Sequence, residues 1–491
     1  MISNKKKLQG VIFDFDNTIV LTDCLESFRV RRNKSGLDQY LRVNNFQLFE
    51  GLLLLLNELK NAGIPIGIVT NSPKWYVERL LNQLSIKEFF SAVISYDDVG
   101  PDDKKPSPKG IHLALEYMKL ISSQDILYIG DDKNDVIAAY RAGVTPIIGK
   151  WTHSIKPISY IPAGVLSVES IINLVVHGTE HLNLFGEICA DANSWEPIKK
   201  RKILYLDVDS NLVNSSDQAS IYSFGRYFAV GSEATTRLHN SHSLTQQILE
   251  KENGDPDYRI PSYWVKSFKH FIDSLEQNKN LIFNIVTVIP AKKNKVKRLE
   301  NMLSEIQDIS DNKVTLYIQD LFYFEDNAAS LKSLNRSDRH DEISKSLKLN
   351  NQYIPEIKNA NIIIIDDVST SGATLSEAIK ILVSSGASKN VYGLCMAKTV
   401  SLPKDDRMCP TCQGALKLQT NSRTGGSYWT CPKKDKDGNY LKHFYEDVKE
   451  KDCPECGRPM VRQSNKKDGR IFLGCSGFRE NNKCKYTEKV S

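Results

Sequence analysis

Residues Val11–Val20 read V-I-F-D-F-D-N-T-I-V, an apolar strand-like run that ends in two carboxylates spaced one residue apart. Successive residues of a strand face opposite sides, so Asp14 and Asp16 share one face while Phe13 and Phe15 share the other. Crowding two acids where a buried strand ends is costly unless a cation or a phosphate-handling reaction uses them. Three downstream pieces follow the same pattern. Ile64–Ser72 is apolar and finishes in Thr70, Asn71 and Ser72. Lys104-Lys105-Pro106-Ser107-Pro108 sets a cation before a proline-stiffened turn and a helix-like segment, Ile111–Met118. Ile126–Gly130 opens into the acidic loop Asp131-Asp132-Lys133-Asn134-Asp135. Apolar strands alternating with helical segments predict a doubly wound parallel α/β sheet, and ligands of such sheets collect at the carboxyl ends of the strands.

In type, order and spacing, these four pieces resemble the motifs of the haloacid dehalogenase superfamily of phosphatases, over residues 8–177. The resemblance implies Asp14 as a nucleophile that forms an aspartyl-phosphate, and Asp16 as the acid and base serving leaving group and water. It implies that Thr70 hydrogen-bonds the phosphoryl oxygens and that Lys105 neutralises their charge. Asp14, Asp16 and Asp131 would hold Mg²⁺, with Asp135 or Asp132 completing the shell and the family spacing favouring Asp135. The plainer alternative is a phosphate-binding or receiver-like domain without hydrolysis; Asp16, a proton shuttle, speaks against it. Phe49–Gly63 reads as a buried helix closed by Gly63, which leaves only Leu21–Leu48 for a lid, too little for a full helical cap. So open a site suits a bulky substrate such as a phosphorylated polymer end, unless a partner domain covers it. Ser27–Lys34 carries Arg29, Arg31, Arg32 and Lys34. A solvated charge run is the commoner reason for such a cluster and anion steering the rarer one.

With 491 residues the chain is too long for one core and predicts about three or four domains. The formal charge of +6 is unevenly spread. Residues 401–491 hold 19 Lys and Arg against 12 Asp and Glu, a balance of +7, which leaves 46 against 47, or −1, for residues 1–400. No apolar run approaches the roughly 20 residues of a membrane span, and the lysines before Val11 precede a strand broken by aspartates rather than a signal sequence. A cytoplasmic protein is expected, with no membrane partner.

Seven of the ten cysteines lie after residue 400, where their spacing suggests metal ligands rather than disulfides. Cys409, Cys412 and Cys431 recur 44 residues later as Cys453, Cys456 and Cys475, and Cys484 completes the second set as a four-thiolate site. The first set lacks an eighth cysteine, so His443 becomes its fourth ligand in a degenerate Cys₃His site. Two structural Zn²⁺ ions would supply folding free energy that ribbons at 409–447 and 453–488 cannot draw from their small cores. The surroundings of Cys475 and Cys484 resemble a topoisomerase I C-terminal zinc finger. Cations interleaved with aromatics, such as Arg423, Tyr428, Trp429, Arg462 and Phe472, point with that resemblance to single-stranded DNA or RNA as partner. Protein docking is the competing use.

The middle third holds a second strand-to-loop signature, Asn361–Leu375. Four isoleucines lead to Asp366 and Asp367, and then to the hydroxyl-rich loop Ser369-Thr370-Ser371-Gly372-Ala373-Thr374 before a helix. A helix N-terminus reached through such a loop favours phosphate. This segment resembles the type I phosphoribosyltransferase motif, and Asn284–Lys293 resembles the strand and pyrophosphate loop of its competence-type members. The resemblance implies that the acids contact ribose hydroxyls and that the loop cradles a 5′-phosphate, with phosphoribosyl pyrophosphate as substrate or ligand. Ser330–Arg339 is the candidate for the covering loop. Ile203–Asn211 echoes the first motif but lacks its accompanying Thr, Lys and acidic loop, and so reads as an ordinary strand and turn. No Walker-type loop is present, so ATP hydrolysis is not expected.

Two doubly wound α/β domains, at 8–177 and 203–400, followed by the two zinc ribbons, are expected to hang together like beads. Residues 178–202 would form a polar linker, and Asn240–Tyr258 an irregular charged stretch. Three functions compete. An enzyme could act on the terminal phosphate of a nucleic acid held by the ribbons. A salvage enzyme could pair phosphoribosyl transfer with dephosphorylation, the ribbons serving as docking modules. A nucleic-acid-binding sensor could retain the motifs without catalysis.

Overall fold

The computed structural model describes the chain apart from residues 1–6, 45, 101–102, 153–157, 180–181, 183, 196–201, 251–257, 294, 312–313, 326–335, 404–415, 432–444, 466, 480–483 and 491. It divides into two compact units, Met1–Leu402 and Pro403–Ser491.

The first unit is built on two sheets. Six parallel strands form the first: β1 (Gly10–Phe13), β2 (Ile66–Val69), β3 (Ala92–Ile94), β4 (Ile126–Gly130), β5 (Thr145–Gly149) and β6 (Gly164–Leu166), in the order β3-β2-β1-β4-β5-β6. All residues of β1, β2, β4 and β5 are buried, as near-continuous apolar runs between two helical layers demand. The helices are α1 (Glu26–Val30), α2 (Lys34–Val43), α3 (Leu52–Asn61), α4 (Lys74–Gln83), α5 (Tyr96–Val99), α6 (Lys109–Tyr117), α7 (Lys133–Ala142) and α8 (Val168–His177). Among the described residues between β1 and α3 the helices are a short 3₁₀ turn, α1 and α2, so the lid is a small two-helix insert. Gly63, at φ 70°, closes the turn after α3.

The second sheet contains β7 (Leu204–Leu206), β8 (Ile221–Phe228), β9 (Ile285–Val288) and β10 (Leu316–Ile318), and then β13 (Ile362–Ser369) and β14 (Val391–Val400), which follow a small antiparallel pair, β11 (Phe322–Phe324) and β12 (Leu347–Leu349). Its order is β10-β9-β13-β14-β8-β7, parallel throughout except for the edge strand β7.

Three expectations are corrected. The stretch 178–202 is no free connector: it carries α9 (Phe185–Ala192), whose buried Glu187 pairs with Arg226 of β8. Asn240–Tyr258 is not irregular along its length, because Ser243–Glu250 is a helix that buries Leu244, Thr245 and Ile248. The two α/β halves are not beads either. One apolar cluster runs from Val136, Ile137 and Tyr140 of α7 to Phe228, Ala234 and Leu375 of the second half. An isolated bridge joins Ile158 to Leu212. With each fully buried aliphatic or aromatic side chain worth roughly 1.5–3 kcal/mol, that shared core is not a surface two separable domains would leave in water.

In the second unit, β15 (Lys417–Thr420), β16 (Ser427–Thr430) and β17 (Tyr445–Asp447) form one antiparallel sheet around buried Trp429. Strands β18 (Lys451–Asp452), β19 (Pro459–Ser464), β20 (Ile471–Cys475) and β21 (Thr487–Lys489) form another.

Candidate active site and metal centres

Strand β1 ends at the middle of its sheet, between β2 and β4, and the loops after these three strands converge on one point. Asp14 donates its backbone N–H to Ile129 of β4 (2.8 Å), which fixes the start of the acidic loop beside it. Lys105 arrives on a loop tied to the end of β2: its N–H donates to Asn71 Oδ1 (2.8 Å), and Asn71 Nδ2 donates to its carbonyl (3.1 Å). The lysine Nζ then bridges Asp14 Oδ1 (2.5 Å) and Asp135 Oδ1 (2.6 Å), and donates to Tyr128 Oη (2.9 Å).

Asp135 sits at the centre of this arrangement. Its Oδ2 accepts from the backbone N–H groups of Asp131 (3.1 Å) and Asp132 (3.2 Å), and Tyr128 Oη donates to its Oδ1 (3.2 Å). Gly130 is required for this: a Cβ there would stand 2.3 Å from Asp135 Oδ2. Asp132 takes a different part, capping α7 by accepting from the N–H groups of Asn134 (2.7 Å) and Asp135 (3.2 Å).

Carboxylate oxygens of Asp14, Asp131 and Asp135 lie within 4.8 Å of one another. Burial, together with the neighbouring carboxylates of Asp135 and Asp132, pushes the Asp131 carboxyl up to about 8. Asp14 is raised as well, burial outweighing the help of Lys105. For Lys105 burial opposes the charge, yet Asp135 and Asp14 hold its pKa above the ordinary lysine value. Three carboxylates whose oxygens crowd together beside one lysine are a hard-oxygen donor set that fits Mg²⁺.

Asp16 does not join that cluster; its carboxylate turns toward the insert. Thr70 Oγ1 donates to its Oδ2 at 3.4 Å, Ser72 Oγ donates to the same oxygen, and Tyr76 Oη donates to Oδ1 at 3.1 Å. Arg29 of α1 pairs with Oδ1 at 3.1 Å. Arg29, Tyr76 and Tyr128 were not singled out as site residues by their sequence context. Arg29 lay inside the basic run, while Tyr128 sits in an apolar strand and reads as core.

A second constellation stands at the end of β13. Asp366 accepts from the N–H of Asp367 (2.8 Å), and Asp367 pairs with Arg298, whose Nε lies 3.1 Å away. Ser369 is buried against Ser210, and Lys398 of β14 donates to the carbonyl of Thr370. Ser371 and Thr374 are half-buried around Gly372, which begins the helix Ala373–Ser384 at φ 86°. A Cβ on Gly372 would lie 2.9 Å from the carbonyl of Val208, so the turn after β7 packs directly on this loop. That turn is closed by Asp207, which accepts from the N–H of Asn211 (2.7 Å), in keeping with its reading as a strand and turn. Residues 330–335 of the candidate covering loop lie outside the described residues, and 336–339 open the helix Arg336–Ser346.

In the second unit Cys453, Cys456, Cys475 and Cys484 come together, with Sγ–Sγ distances of 3.7 Å (Cys453–Cys484) and 3.4 Å (Cys456–Cys475). Four free thiols so placed could hold one metal ion, and soft sulfur donors in fours suit Zn²⁺. Of the other set, Cys431 is buried, while Cys409, Cys412 and His443 lie outside the described residues. Among the described residues no helix is long and apolar enough to cross a membrane.

Comparison with known proteins bears on the first sheet. A phosphoglycolate phosphatase from Photorhabdus laumondii is 40% identical over 103 residues, which is 21% of this chain and 42% of that protein. The phosphoglycolate phosphatase of Escherichia coli strain K12 is 42% identical over 102 residues, 21% of this chain and 39% of that protein. The chain thus spans less than half the length of these curated relatives. A solved haloacid dehalogenase superfamily hydrolase from Ehrlichia chaffeensis aligns with 35% of this chain and 98% of its own at 22% identity, with a TM-score of 0.27, too low to bear on the argument. The family model described as haloacid dehalogenase-like hydrolase matches residues 25–148, a span that begins after Asp14 and Asp16 and takes in Thr70, Lys105, Asp131 and Asp135. Residues 25–148 of this longer chain are thus similar to the haloacid dehalogenase-like hydrolases.

Proposed function

We propose that the chain is a Mg²⁺-dependent phosphomonoester hydrolase whose nucleophile is Asp14, acting on a nucleic-acid end or a nucleotide. The observation that carries this is the convergence of Asp14, Lys105, Asp131 and Asp135 at the carboxyl ends of β1 and β4. An Asp14 oxygen attacks phosphorus and the ester P–O bond breaks, with Asp16 giving a proton to the departing oxygen. Water then attacks the aspartyl-phosphate, Asp16 takes the water's proton, and inorganic phosphate leaves as the Asp14 oxygen is released. Lys105 balances the charge that gathers on the phosphoryl oxygens, and Thr70 is placed to donate to one of them. When bound, Mg²⁺ held by Asp14, Asp131 and Asp135 would supply further charge neutralisation for the transferring group.

The remaining parts of the reading extend the substrate. Asp366, Asp367 and the Ser369–Thr374 loop at a helix N-terminus suit a phosphorylated ribose, phosphoribosyl pyrophosphate or a nucleotide. The four-cysteine cluster and the +7 balance of residues 401–491 favour zinc ribbons that hold single-stranded nucleic acid. A second reading, nucleotide salvage with the ribbons as docking modules, gains support from the second constellation lying in the same compact unit as the phosphatase site.

The test is phosphate release from end-labelled DNA and RNA beside a panel of nucleotides, with Mg²⁺ and with the Asp14→Asn variant. The expected loss in the variant is several orders of magnitude. Equal turnover would remove Asp14 as the nucleophile, and turnover of free nucleotides alone would favour salvage.

A further inference from the structure

Among the described residues, Arg29 is the one residue of the two-helix insert that reaches the Asp16 carboxylate. Its Nη1 pairs with Asp16 Oδ1 at 3.1 Å and donates to Ser72 Oγ at 3.0 Å. Its guanidinium carbon stands 5.9 Å from the centre of the Tyr76 ring, so the group is held from below as well as from the side. Asp16 is meanwhile saturated: Thr70 and Ser72 donate to one oxygen, and Tyr76 and Arg29 to the other. Hence Arg29 is not needed to keep Asp16 in place, because three hydroxyls already do so.

The fork itself is largely unspent. Among the described residues, Nε and Nη2 of Arg29 make no hydrogen bond, and the side chain is 28% exposed against 14% for Asp16. A planar guanidinium offers five N–H donors in a geometry that matches a carboxylate or phosphate. The departing oxygen must come to Asp16 to receive its proton, so whatever that oxygen is attached to arrives beside Arg29. The transferring phosphoryl group has its own cation in Lys105, which stands beside Asp14 and Asp135.

We propose that Arg29 is a specificity-determining residue that binds a second anionic group carried by the leaving group of the substrate. The preferred substrate is then a phosphomonoester whose alcohol bears a carboxylate or a phosphate, and an ester of a neutral alcohol is disfavoured. This rests on the phosphatase reading and deepens it. A small ester with a carboxylate and a nucleic-acid end with its next phosphodiester both present the required anion. The neighbouring Arg31, Arg32 and Lys34 would help only the longer of the two.

The experiment compares kcat/KM for 2-phosphoglycolate, a 3′-phosphorylated dinucleotide and phenyl phosphate in the full chain and in its Arg29→Gln and Arg29→Lys variants. The readout is the ratio of each anionic substrate to phenyl phosphate. It should fall roughly 10- to 100-fold in Arg29→Gln, the range that a hydrogen bond to a charged group is worth, with part of the loss restored in Arg29→Lys. A fall for one anionic substrate alone names the source of the anion. An unchanged ratio, with all three substrates losing equally, would overturn the proposal and leave Arg29 as a residue that only positions Asp16. Calorimetric binding of 2-phosphoglycolate and phenyl phosphate to the Asp14→Asn chain, with and without Arg29→Gln, gives the same ratio in the absence of turnover. A chain that hydrolyses nothing yet keeps the Arg29-dependent binding preference would sink the phosphatase reading, and with it the leaving-group assignment, and leave Arg29 as an anion-binding residue only.

Discussion

Glu187→Gln should cost the first unit roughly 3–5 kcal/mol of unfolding free energy, the usual penalty for stripping one partner from a buried ion pair. The figure follows from how completely Arg226 is matched. Its Nε donates to Glu187 Oε1 (2.8 Å), its Nη2 to Oε2 (2.9 Å), its backbone N–H to Oε1 (3.0 Å) and its Nη1 to Tyr140 Oη (3.0 Å). The two side chains are only 8% and 4% exposed, so water cannot replace what the carboxylate provides. Glutamine keeps the shape but presents one acceptor where three N–H groups need two, and leaves the guanidinium charge uncompensated. Chemical denaturation followed by circular dichroism measures the loss. Pairing the change with Arg226→Met removes the stranded charge while the glutamine oxygen still serves the backbone N–H, and should restore most of the stability. The pH dependence has a fixed sign. Burial alone would raise the Glu187 carboxyl, but Arg226 and then His242 hold it well below the usual range. A depressed carboxylate stabilises the fold above its unfolded value of about 4.3, and that contribution is lost as pH falls toward the folded one. The wild type should therefore lose an acid-sensitive increment that the glutamine variant lacks. A single variant within about 0.5 kcal/mol of wild type, the scatter of ordinary surface substitutions, would refute the reasoning. So would a double variant no more stable than the single one.

Three further outcomes are expected. Asp135→Asn should raise the Mg²⁺ concentration for half-maximal activity at least about 10-fold. Asp132→Asn should change it by less than about 3-fold, since asparagine caps a helix as well as aspartate does. Mg²⁺ titrations that rank the two the other way would return Asp132 to the metal shell. Elemental analysis should find two zinc ions per chain, with Cys453→Ser removing one; a count of one would discard the set of Cys409, Cys412, Cys431 and His443. Gly372→Ala, at φ 86° and with its new methyl 2.9 Å from the Val208 carbonyl, should strain the loop by roughly 1–3 kcal/mol and weaken calorimetric binding of phosphoribosyl pyrophosphate. Undiminished binding would show that the loop is not the phosphate cradle.

The first sheet was legible because its strands are short apolar runs punctuated by the residues that do the chemistry. Asp14 and Asp131 directly follow strand ends, while Lys105 lies on the loop tied to β2 and Asp135 in the first turn of α7, and at each the local pattern and chemical type coincide. What could not be read depends on distant partners. Glu187 looked like one acid in a polar connector, and only the fold brings Arg226, 39 residues away, onto it. Asp16 was grouped with the metal ligands on the strength of the family resemblance, but β1 has ended by Phe13, so strand alternation no longer turns it to the side of Asp14. Tyr128 was hidden for the opposite reason: it is a core residue by every local sign, and its hydroxyl is the exception.

The helix Phe185–Ala192 bears on how this protein can be dissected. A fragment cut after residue 177 would bare Val136, Ile137 and Tyr140 on the flank of the very helix whose first turn carries Asp135. The complementary fragment beginning at 203 would keep Arg226 and lose the only carboxylate within reach of it among the described residues. Each piece would inherit a wound that the other was built to dress, and recombinant halves chosen from motif boundaries should be poorly soluble. Fragments divided after Leu402 instead follow the boundary between the two compact units, and are the ones to make.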